Sequence, residues 1–419
     1  MKKFLTLILS GASAVIVSGC GSATPDPEGW KPSQKQEFLE ILKTDRYASI
    51  CNQQALYQKV KESGDSPLMS KLLVAYTKHL ANSCIDPESF NAPHENGTEK
   101  KIAAYYETYL QEVDEADIER KVRAGQRIET ILKPYVPEYT QFHALIEQYN
   151  ALKQTGKTSP QLLYDIRLNI ERVKLLKPGL GNTYALVNIP EYRVRLIEED
   201  QTSVEMKVIV GTKKNKTPVF SENLRYITLN PTWNVPDSIA RNEIIPDALK
   251  DPGYLKKNRL VIRKDYDLDS PELSFSDIDA KAYKGGKGVV PFKFIEVPSD
   301  KNALGRVKFI FPNQHAVYMH DTPTKHLFER KQRAFSHGCI RLGDPKHMLE
   351  YLSKNYTAHE YEEVREKYDS YKTHYLKITR PLPVHTAYLT TYVDQNGKLL
   401  VFPDIYDYNK VQQLNFKEA

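Results

Sequence analysis

Two short stretches in the C-terminal third of the chain carry residue types that can perform covalent chemistry. The first ends at His320, and the second is Ser336-His337-Gly338-Cys339. A cysteine attacks as the thiolate, so it needs a neighbouring base or cation to lower its pKa from about 8.5. A histidine can meet that need near neutral pH. Cys339, with His320 or His337, is therefore a candidate activated thiol.

The residues that must position this thiol show a strand followed by a turn. The five residues that end at His320 alternate in a strand-like way, which places Tyr318 and His320 on one face. A predicted turn at Ser336-His337-Gly338 would bring Cys339 back beside the end of that strand. Backbone N–H groups around Gly338 and Cys339 would then face a developing oxyanion.

Two other interpretations use the same residues. A single cysteine can be a small buried hydrophobic residue and no nucleophile. A zinc site could be built from His320, His326, His337 and Cys339, but their spacings fit neither a CxxC pair nor HExxH. The sequence also contains no phosphate loop, dinucleotide fingerprint or serine-hydrolase elbow. We therefore predict no metal and no cofactor.

The spacing from His320 to Ser336-His337-Gly338-Cys339 resembles the signature of L,D-transpeptidases, the YkuD-type cysteine enzymes that cross-link bacterial peptidoglycan. The similarity extends to the large YcbB-like branch and runs from about Leu163 to the region of Tyr406. It is carried by the ordered motifs Leu186-Val187-Asn188-Ile189-Pro190, Asn230-Pro231-Thr232-Trp233-Asn234-Val235-Pro236, Asp251-Pro252-Gly253-Tyr254-Leu255, Asn302-Ala303-Leu304-Gly305-Arg306-Val307-Lys308-Phe309 and Met319-His320-Asp321-Thr322-Pro323.

The resemblance implies an acyltransferase with Cys339 as nucleophile and His320 as its base. The thiolate would attack a stem-peptide diamino acid of a donor tetrapeptide, D-alanine would leave, and an amine of a second stem would resolve the thioester into a 3→3 cross-link. The resemblance also implies supporting roles in the oxyanion pocket, the acyl-chain site or the cleft for Ser336, His337, Gly338, Arg341, Asp321 and Trp233.

Three points about these residues stay open from the sequence. The backbone after His320 is expected to orient its imidazole, as a third group does in Cys/His enzymes, and Asp321 either contacts that ring or points into solvent. Trp233 either lines the cleft or lies in a core. Water could also resolve the thioester, which would make the protein an L,D-carboxypeptidase, and a non-catalytic wall-binding scaffold is a third function.

The N-terminus has the pattern of a lipoprotein leader. Residues 1–19 combine Lys2-Lys3 with an apolar run too short to span a membrane. The sequence Val17-Ser18-Gly19-Cys20 resembles a lipobox, which implies lipidation at Cys20. Residues 20–33, with three prolines, are predicted to be a tether. We expect a lipid-anchored, periplasm-facing envelope protein, and Gly21 after the cysteine favours the outer membrane.

Cys51 and Cys84 remain after Cys20 and Cys339 are assigned. An exported compartment permits them to pair in a disulfide. Two independent buried thiols are the alternative, because spacing alone does not show that their Cβ atoms meet.

The apolar period predicts an α+β fold with a mostly helical scaffold domain at 34–180 and a β-rich catalytic domain at 181–419. In the first part apolar residues advance by three and four, and Ser159-Pro160 is a helix start signal. After Leu180 the period changes to two. By resemblance, 234–300 is a capping insertion. Within 380–419, strands Thr386 to Val393 and Lys398 to Phe402, joined at Asn396-Gly397, are expected to complete the catalytic sheet.

The net charge of +6 is modest and is spread along the chain. It suits an anionic substrate such as peptidoglycan stem peptides. No clustered basic face accompanies a nucleic-acid motif, so no nucleic-acid partner is predicted.

Overall fold

A computed structural model describes residues 26–92, 101–179 and 181–416. The predicted leader, the lipidation site Cys20 and the first part of the predicted tether lie outside these residues. Within the ranges given, no helix is both long enough and apolar enough to cross a bilayer. The predicted fold class is confirmed, because a helical N-terminal region precedes a β-rich C-terminal domain.

Most helices of the helical region face one shared core, whereas Phe90 and Leu168 lie in the core of the β-rich domain. The helix predicted at Pro160 is confirmed, and the Ser159 hydroxyl caps it by accepting a hydrogen bond from Leu162 N–H. Asp65 and Asp114 cap two other helices in the same way. The helices are α1 (Pro32–Lys43), α2 (Gln54–Ser63), α3 (Ser66–Asn82), α4 (Glu88–Asn91), α5 (Glu115–Arg123), α6 (Ile128–Leu132), α7 (Thr140–Thr155) and α8 (Pro160–Lys174).

The predicted tether at 20–33 is wrong over its described part, residues 26–33. Trp30 is buried in the helical core, and its indole N–H donates to Ser70 Oγ at 2.9 Å. Asp26 accepts a hydrogen bond from the Trp30 backbone and pairs with Lys35 at 2.9 Å. Burial of a large indole outweighs the extended preference of the prolines in this segment. The folded part therefore begins before α1.

The β-rich domain is built on one nine-stranded sheet with the order β10-β3-β11-β9-β8-β4-β12-β1-β2. A further pairing between β2 and β3 closes this sheet on itself. The strands of the chain are β1 (Tyr184–Asn188), β2 (Arg193–Glu198), β3 (Gln201–Gly211), β4 (Phe220–Leu229), β5 (Trp233–Asn234), β6 (Leu260–Arg263), β7 (Lys293–Glu296), β8 (Val307–Ile310), β9 (Met319–His320), β10 (Ala334–Ser336), β11 (Ile340–Leu342), β12 (His374–Ala387), β13 (Thr391–Val393) and β14 (Leu399–Val401).

Strand β1 joins the two parts of the protein, since it is buried on both faces. Ala185 and Val187 lie in the core inside the closed sheet. Tyr184 and Leu186 lie in the core shared with the helices. Because side chains alternate along a strand, this one segment packs simultaneously against both layers. The helical region is thus held against the main sheet by an apolar interface.

The predicted insertion at 234–300 forms a small subdomain with its own core. Strands β5, β7 and β6 make a separate three-stranded sheet. Phe292, Phe294 and Ile262 are among its buried residues. Its helices are α9 (Asp237–Ile239), α10 (Ile245–Lys250) and α11 (Tyr254–Lys257), and a π-helical turn, Ala240–Ile244, joins the first two.

The C-terminal hairpin differs from the prediction for 380–419. Strands β13 and β14 pair only with each other, and β12, which reaches back to His374, enters the main sheet between β4 and β1. Val393 exchanges two hydrogen bonds with the Gln141 side chain of α7. The apolar side chains of this hairpin complete the helical core, so the hairpin cannot also extend the sheet. The last helices are α12 (Pro345–Tyr356), α13 (Tyr361–Asp369) and α14 (Tyr408–Val411).

Cys51 and Cys84 form a disulfide with a Cα–Cα distance of 6.2 Å. The bond links the short helical turn that precedes α2 to the segment that follows α3. Both residues are buried, and the Arg167 guanidinium lies 3.5 Å from the Cys51 sulfur. The bond ties together two segments that contain little regular structure of their own.

Candidate active site

Three adjacent strands present the candidate catalytic side chains on one face of the sheet. His320 of β9 lies opposite Arg341 of β11 and opposite Lys308 of β8. The Ile340 N–H donates to the Tyr318 carbonyl at 3.0 Å, which continues the register by one residue to Cys339. Paired residues point to the same face, and side chains alternate with a period of two. Cys339, Tyr318, His320, Arg341 and Lys308 therefore share a face.

The Cys339 thiol is half-buried beside Tyr318. Its sulfur donates to the Ala316 carbonyl at 3.9 Å. Burial raises the pKa of the Cys339 thiol, because the thiolate loses hydration. Hydrogen bonds from the backbone and side chain of Tyr318, together with the charges of Lys308 and Arg341, act in the opposite direction. In this state the sulfur is a thiol that needs a base.

His320 has the electrostatic character of a neutral base. Its ring is 4% exposed, and burial, with the positive charges of Arg341 and Lys308, lowers its pKa to about 3. Nδ1 lies 2.5 Å from the Asp321 carbonyl oxygen, which can only accept a hydrogen bond. Nδ1 therefore carries the ring proton, and Nε2 keeps the lone pair that can receive a proton. The backbone orients the imidazole, as the sequence predicted.

The Asp321 side chain neither contacts the imidazole nor points into solvent. It is 8% exposed, and its two oxygens accept from the Arg306 N–H at 2.8 Å and the Thr322 N–H at 2.7 Å. Lys325 donates a third hydrogen bond at 2.5 Å. A Cβ at Gly305, where φ is +60°, would lie 2.3 Å from this carboxylate. The carboxylate thus holds the loop that aims the Asp321 carbonyl at His320.

Ser336 shapes the turn before Cys339. Its hydroxyl donates to the Cys339 carbonyl at 2.5 Å and accepts from the Gly338 N–H at 3.1 Å. Gly338 has a φ of +118°, which non-glycine residues rarely adopt, and its carbonyl accepts from Thr217 Oγ1 at 2.7 Å. The Gly338 N–H is already engaged, so it is not the free oxyanion donor that the sequence suggested.

A groove of about 280 Å³ runs between the insertion and the segment after His320. Trp233 and Tyr254 line one side, and Thr324 and Arg341 line the other. Trp233 also packs partly against the core of the insertion. It therefore lies both in the groove wall and against a core, the two locations that the sequence left open. Arg341 Nη1 donates to Thr324 Oγ1 at 3.3 Å, whereas its buried Nε has no partner among the described residues. An unmatched guanidinium N–H in a groove is suited to an anionic or carbonyl ligand.

His337 connects the catalytic turn to the insertion. Its exposed Nε2 lies 2.8 Å from Glu243 Oε1, in the π-helical turn. The same Glu243 lines the groove. His337 therefore contacts the insertion and is not placed against the reacting sulfur.

The sequence did not single out Lys308, Tyr318 or Glu107 as site residues. The position of Tyr318 two residues before His320 on the same strand face was a usable signal. Lys308 stands in one of the resembling motifs, but only the sheet order places its ammonium 3.8 Å from the Tyr318 ring centre. Glu107 accepts from His315 Nε2 at 2.8 Å and from Gln314 Nε2 at 2.6 Å, and nothing in its local sequence indicates this contact.

The four residues weighed as a zinc site are not gathered by the fold. Among the described residues, the one set of His, Cys or acidic side chains close enough to share an ion is Cys51, His79 and Cys84. Two of these are joined in the disulfide, which leaves their sulfur atoms without the thiolate charge that binds zinc.

Comparison with known proteins gives a specific match to the β-rich domain. Residues 182–360 match the YkuD model, which describes an L,D-transpeptidase catalytic domain. A Haemophilus influenzae protein assigned as an L,D-transpeptidase is 31% identical over 268 residues, which is 63% of this chain and 51% of that protein. This chain therefore spans about half the length of that relative.

Solved structures of the same class show a weaker overall similarity. An L,D-transpeptidase from Mycobacterium smegmatis is 12% identical over 49% of this chain and 59% of its own, with a TM-score of 0.23. L,D-transpeptidase 1 from Mycobacterium tuberculosis is 12% identical over 49% of this chain and 62% of its own, with a TM-score of 0.18. With scores this low, the assignment rests on the sequence match at residues 182–360.

Proposed function

We propose that this protein is a peptidoglycan L,D-transpeptidase acting through Cys339, because residues 182–360 match the model of an L,D-transpeptidase catalytic domain. The observation that carries the proposal is the strand face shared by Cys339, Tyr318 and His320 with Arg341, which also lines the groove. A half-buried thiol and a neutral imidazole on one strand face supply a nucleophile and its base.

In the proposed first half-reaction, His320 Nε2 receives the Cys339 proton, directly or through one water, as the sulfur attacks the donor carbonyl. Both groups are neutral in the resting site, so proton transfer accompanies attack. The Cys339 N–H and the Tyr318 hydroxyl are the proposed oxyanion donors, because both lie beside the sulfur. The C–N bond to D-alanine then breaks, His320 returns the proton to the leaving amine, and a thioester remains.

In the proposed second half-reaction, the side-chain amine of another stem peptide attacks the thioester. His320 takes a proton from that amine, the thiol is regenerated and a 3→3 cross-link forms. The groove between Trp233 and Arg341 offers a cation for a stem-peptide carboxylate and an aromatic wall for its aliphatic chain. The reaction would contribute to cell wall biogenesis, in the periplasm, by a protein anchored through Cys20.

Intact-mass spectrometry tests the nucleophile. Exposure to a carbapenem, which the family resemblance predicts to be an acylating ligand, should add one mass equivalent to the chain. The matched Cys339→Ala variant should add none. If folded protein stays unmodified, or if the variant is modified equally, the assignment of Cys339 is wrong.

Digested peptidoglycan tests the acceptor. A transpeptidase should convert tetrapeptide muropeptides into 3→3 dimers with release of D-alanine. Trimmed tripeptides without dimers would show that water is the acceptor and that the protein is an L,D-carboxypeptidase.

A further inference from the structure

A second cavity, of about 400 Å³, lies in the helical region and shares no lining residue with the groove. The loop after α1, the start of α2 and the C-terminal half of α7 form its walls, and Phe416 closes one side. Its volume lies within the range of small-ligand sites, about 300–1,000 Å³. The proposed reaction uses no part of it.

The floor of this cavity is rigid and contains a guanidinium paired with two carboxylates, Asp45 and Glu171. Ala48 and Cys51 are buried there, and the disulfide fixes Cys51. Arg167 is 4% exposed, and it donates to the Ala48 carbonyl at 2.8 Å and to Glu171 at 3.1 Å. A buried guanidinium held by Asp45, Glu171 and the Ala48 carbonyl is a fixed part of the cavity floor.

Three aromatic rings surround the opening. Tyr57 and Phe416 are half-buried, and Tyr149 is 7% exposed. The Phe416 ring centre lies 5.1 Å from the Arg167 guanidinium. The Tyr149 hydroxyl accepts from Lys153 at 3.4 Å, so the half-buried rings of Tyr57 and Phe416 are the ones that offer apolar faces to the C–H groups of a ligand.

The remaining rim residues are amides and lysines. Gln54, Asn150 and Gln154 each provide two N–H donors and one acceptor oxygen. Lys43 and Lys153 add exposed positive charges. Flat rings, amides and single cations in one cavity match a ligand with C–H faces, hydroxyl or acetamido groups and a carboxylate.

We propose that this cavity binds an acidic amino-sugar unit of the wall glycan. Sugar C–H faces would pack on the half-buried rings of Tyr57 and Phe416, the rim amides would bind hydroxyl and acetamido groups, and the lysines would pair with the carboxylate. Asp45, which also lines the cavity, disfavours a doubly charged phosphate at the same place. The choice of glycan rests on the proposed function, whereas the chemistry of the cavity does not.

Binding at this cavity would hold the enzyme on a glycan strand while the catalytic groove samples the attached peptides. The effective concentration of stem peptides near Cys339 would rise without any new contact at the groove. The helical region would then be a second substrate-binding module within the same chain.

The test measures binding of purified full-length chain to short glycan strands from which the stem peptides have been removed. These strands cannot be acyl donors, so the readout does not depend on catalysis. We expect saturable calorimetric binding that Tyr57→Ala and Lys153→Ala each weaken by about tenfold, the loss of one aromatic or charged contact. Lys157→Ala, an exposed control beyond α7, should bind as the wild type does.

Two further arms separate this site from the proposed reaction and from other anions. Cys339→Ala should lose acylation and keep glycan binding, so failure of either proposal is distinguishable from failure of the other. Strands of the same sugar without the lactyl carboxylate should bind more weakly. The proposal would be overturned if the wild type shows no saturable binding, or if Tyr57→Ala and Lys153→Ala bind glycan as tightly as the wild type. It would also be overturned if inorganic phosphate binds more tightly than the glycan.

Discussion

Glu107 of the helical region accepts a hydrogen bond from His315 Nε2 at 2.8 Å. His315 lies three residues before Tyr318 in the sequence. The loop that contains His315 also holds Ala316, whose carbonyl faces the Cys339 sulfur and whose φ is +54°. Glu107 is in turn fixed by Tyr109, whose hydroxyl donates to it at 2.6 Å. The helical region therefore helps to hold the carbonyl that contacts the thiol.

Replacing Glu107 with Gln should lower kcat about tenfold and leave KM unchanged, because the side chain touches the loop beside Cys339 and no residue of the groove. Steady-state kinetics with a muropeptide donor check this, and Glu112→Gln, an exposed neighbour, is the matched control. Although burial raises the pKa of Glu107, hydrogen bonds from Tyr109, Gln314 and His315 hold it below its ordinary value. Its stabilisation is therefore present at neutral pH and lost as the pH falls below about 4.3. A larger KM with unchanged kcat would contradict the positioning role.

Tyr318→Phe should raise the pKa of the Cys339 thiol, because it removes a hydroxyl that hydrogen-bonds to the sulfur. The rate of alkylation by iodoacetamide at pH 7.5 should fall by about threefold to tenfold, and the inflection of its pH profile should move upward. Tyr226→Phe, at an exposed tyrosine of β4, controls for the substitution itself. An unshifted profile would show that this hydroxyl does not act on the sulfur.

His320→Gln should lower the rate of acylation at least about 100-fold, the usual contribution of a general base. The variant should also change how the free energy of unfolding depends on pH below neutrality. In the folded protein the pKa of His320 is about 3, below the ordinary value of about 6.5, so the unfolded chain binds a proton that the folded chain excludes. Stability is therefore lost as the pH falls from about 6.5 toward 3.

Denaturant unfolding at pH 4.5 and pH 7.5 measures this effect. The stability difference between the two values should be smaller in His320→Gln than in the wild type by about 2 kcal/mol. Cys339→Ala is the control, since it removes the nucleophile and keeps the imidazole. Equal differences in all three proteins would mean that His320 is already neutral in the unfolded chain or charged in the fold.

Removing the disulfide by a double Cys51→Ser, Cys84→Ser change should destabilise the protein by about 3–4 kcal/mol, as expected for a bond that spans 33 residues of sequence. Urea unfolding of the wild type with and without reductant gives an independent value of the same cost. Acylation of Cys339 should persist wherever the fold persists, because the bond lies in the helical region. If Cys339 loses its reactivity in protein that is still folded, the two regions are coupled more directly.

Local patterns in the sequence were sufficient for several features. The change of apolar period after Leu180 predicted the helical and β-rich parts, since the period of a segment follows from which face it buries. The Ser159-Pro160 start signal predicted α8, because capping is a local interaction. The motif from His320 to Cys339 indicated the family that the comparisons then supported. Alternation before His320 also placed Tyr318 on its face.

The tertiary structure decided what depends on contacts distant in sequence. Trp30 packs into the helical core, so residues predicted as a tether are folded. The final hairpin binds α7 because its apolar side chains fill the helical core, whereas β12 occupies the place beside β1. Glu107 reaches His315 across a sequence separation of 208 residues. Sequence patterns determine which face of a segment is apolar, but burial and hydrogen bonding between remote segments determine which partner that face meets.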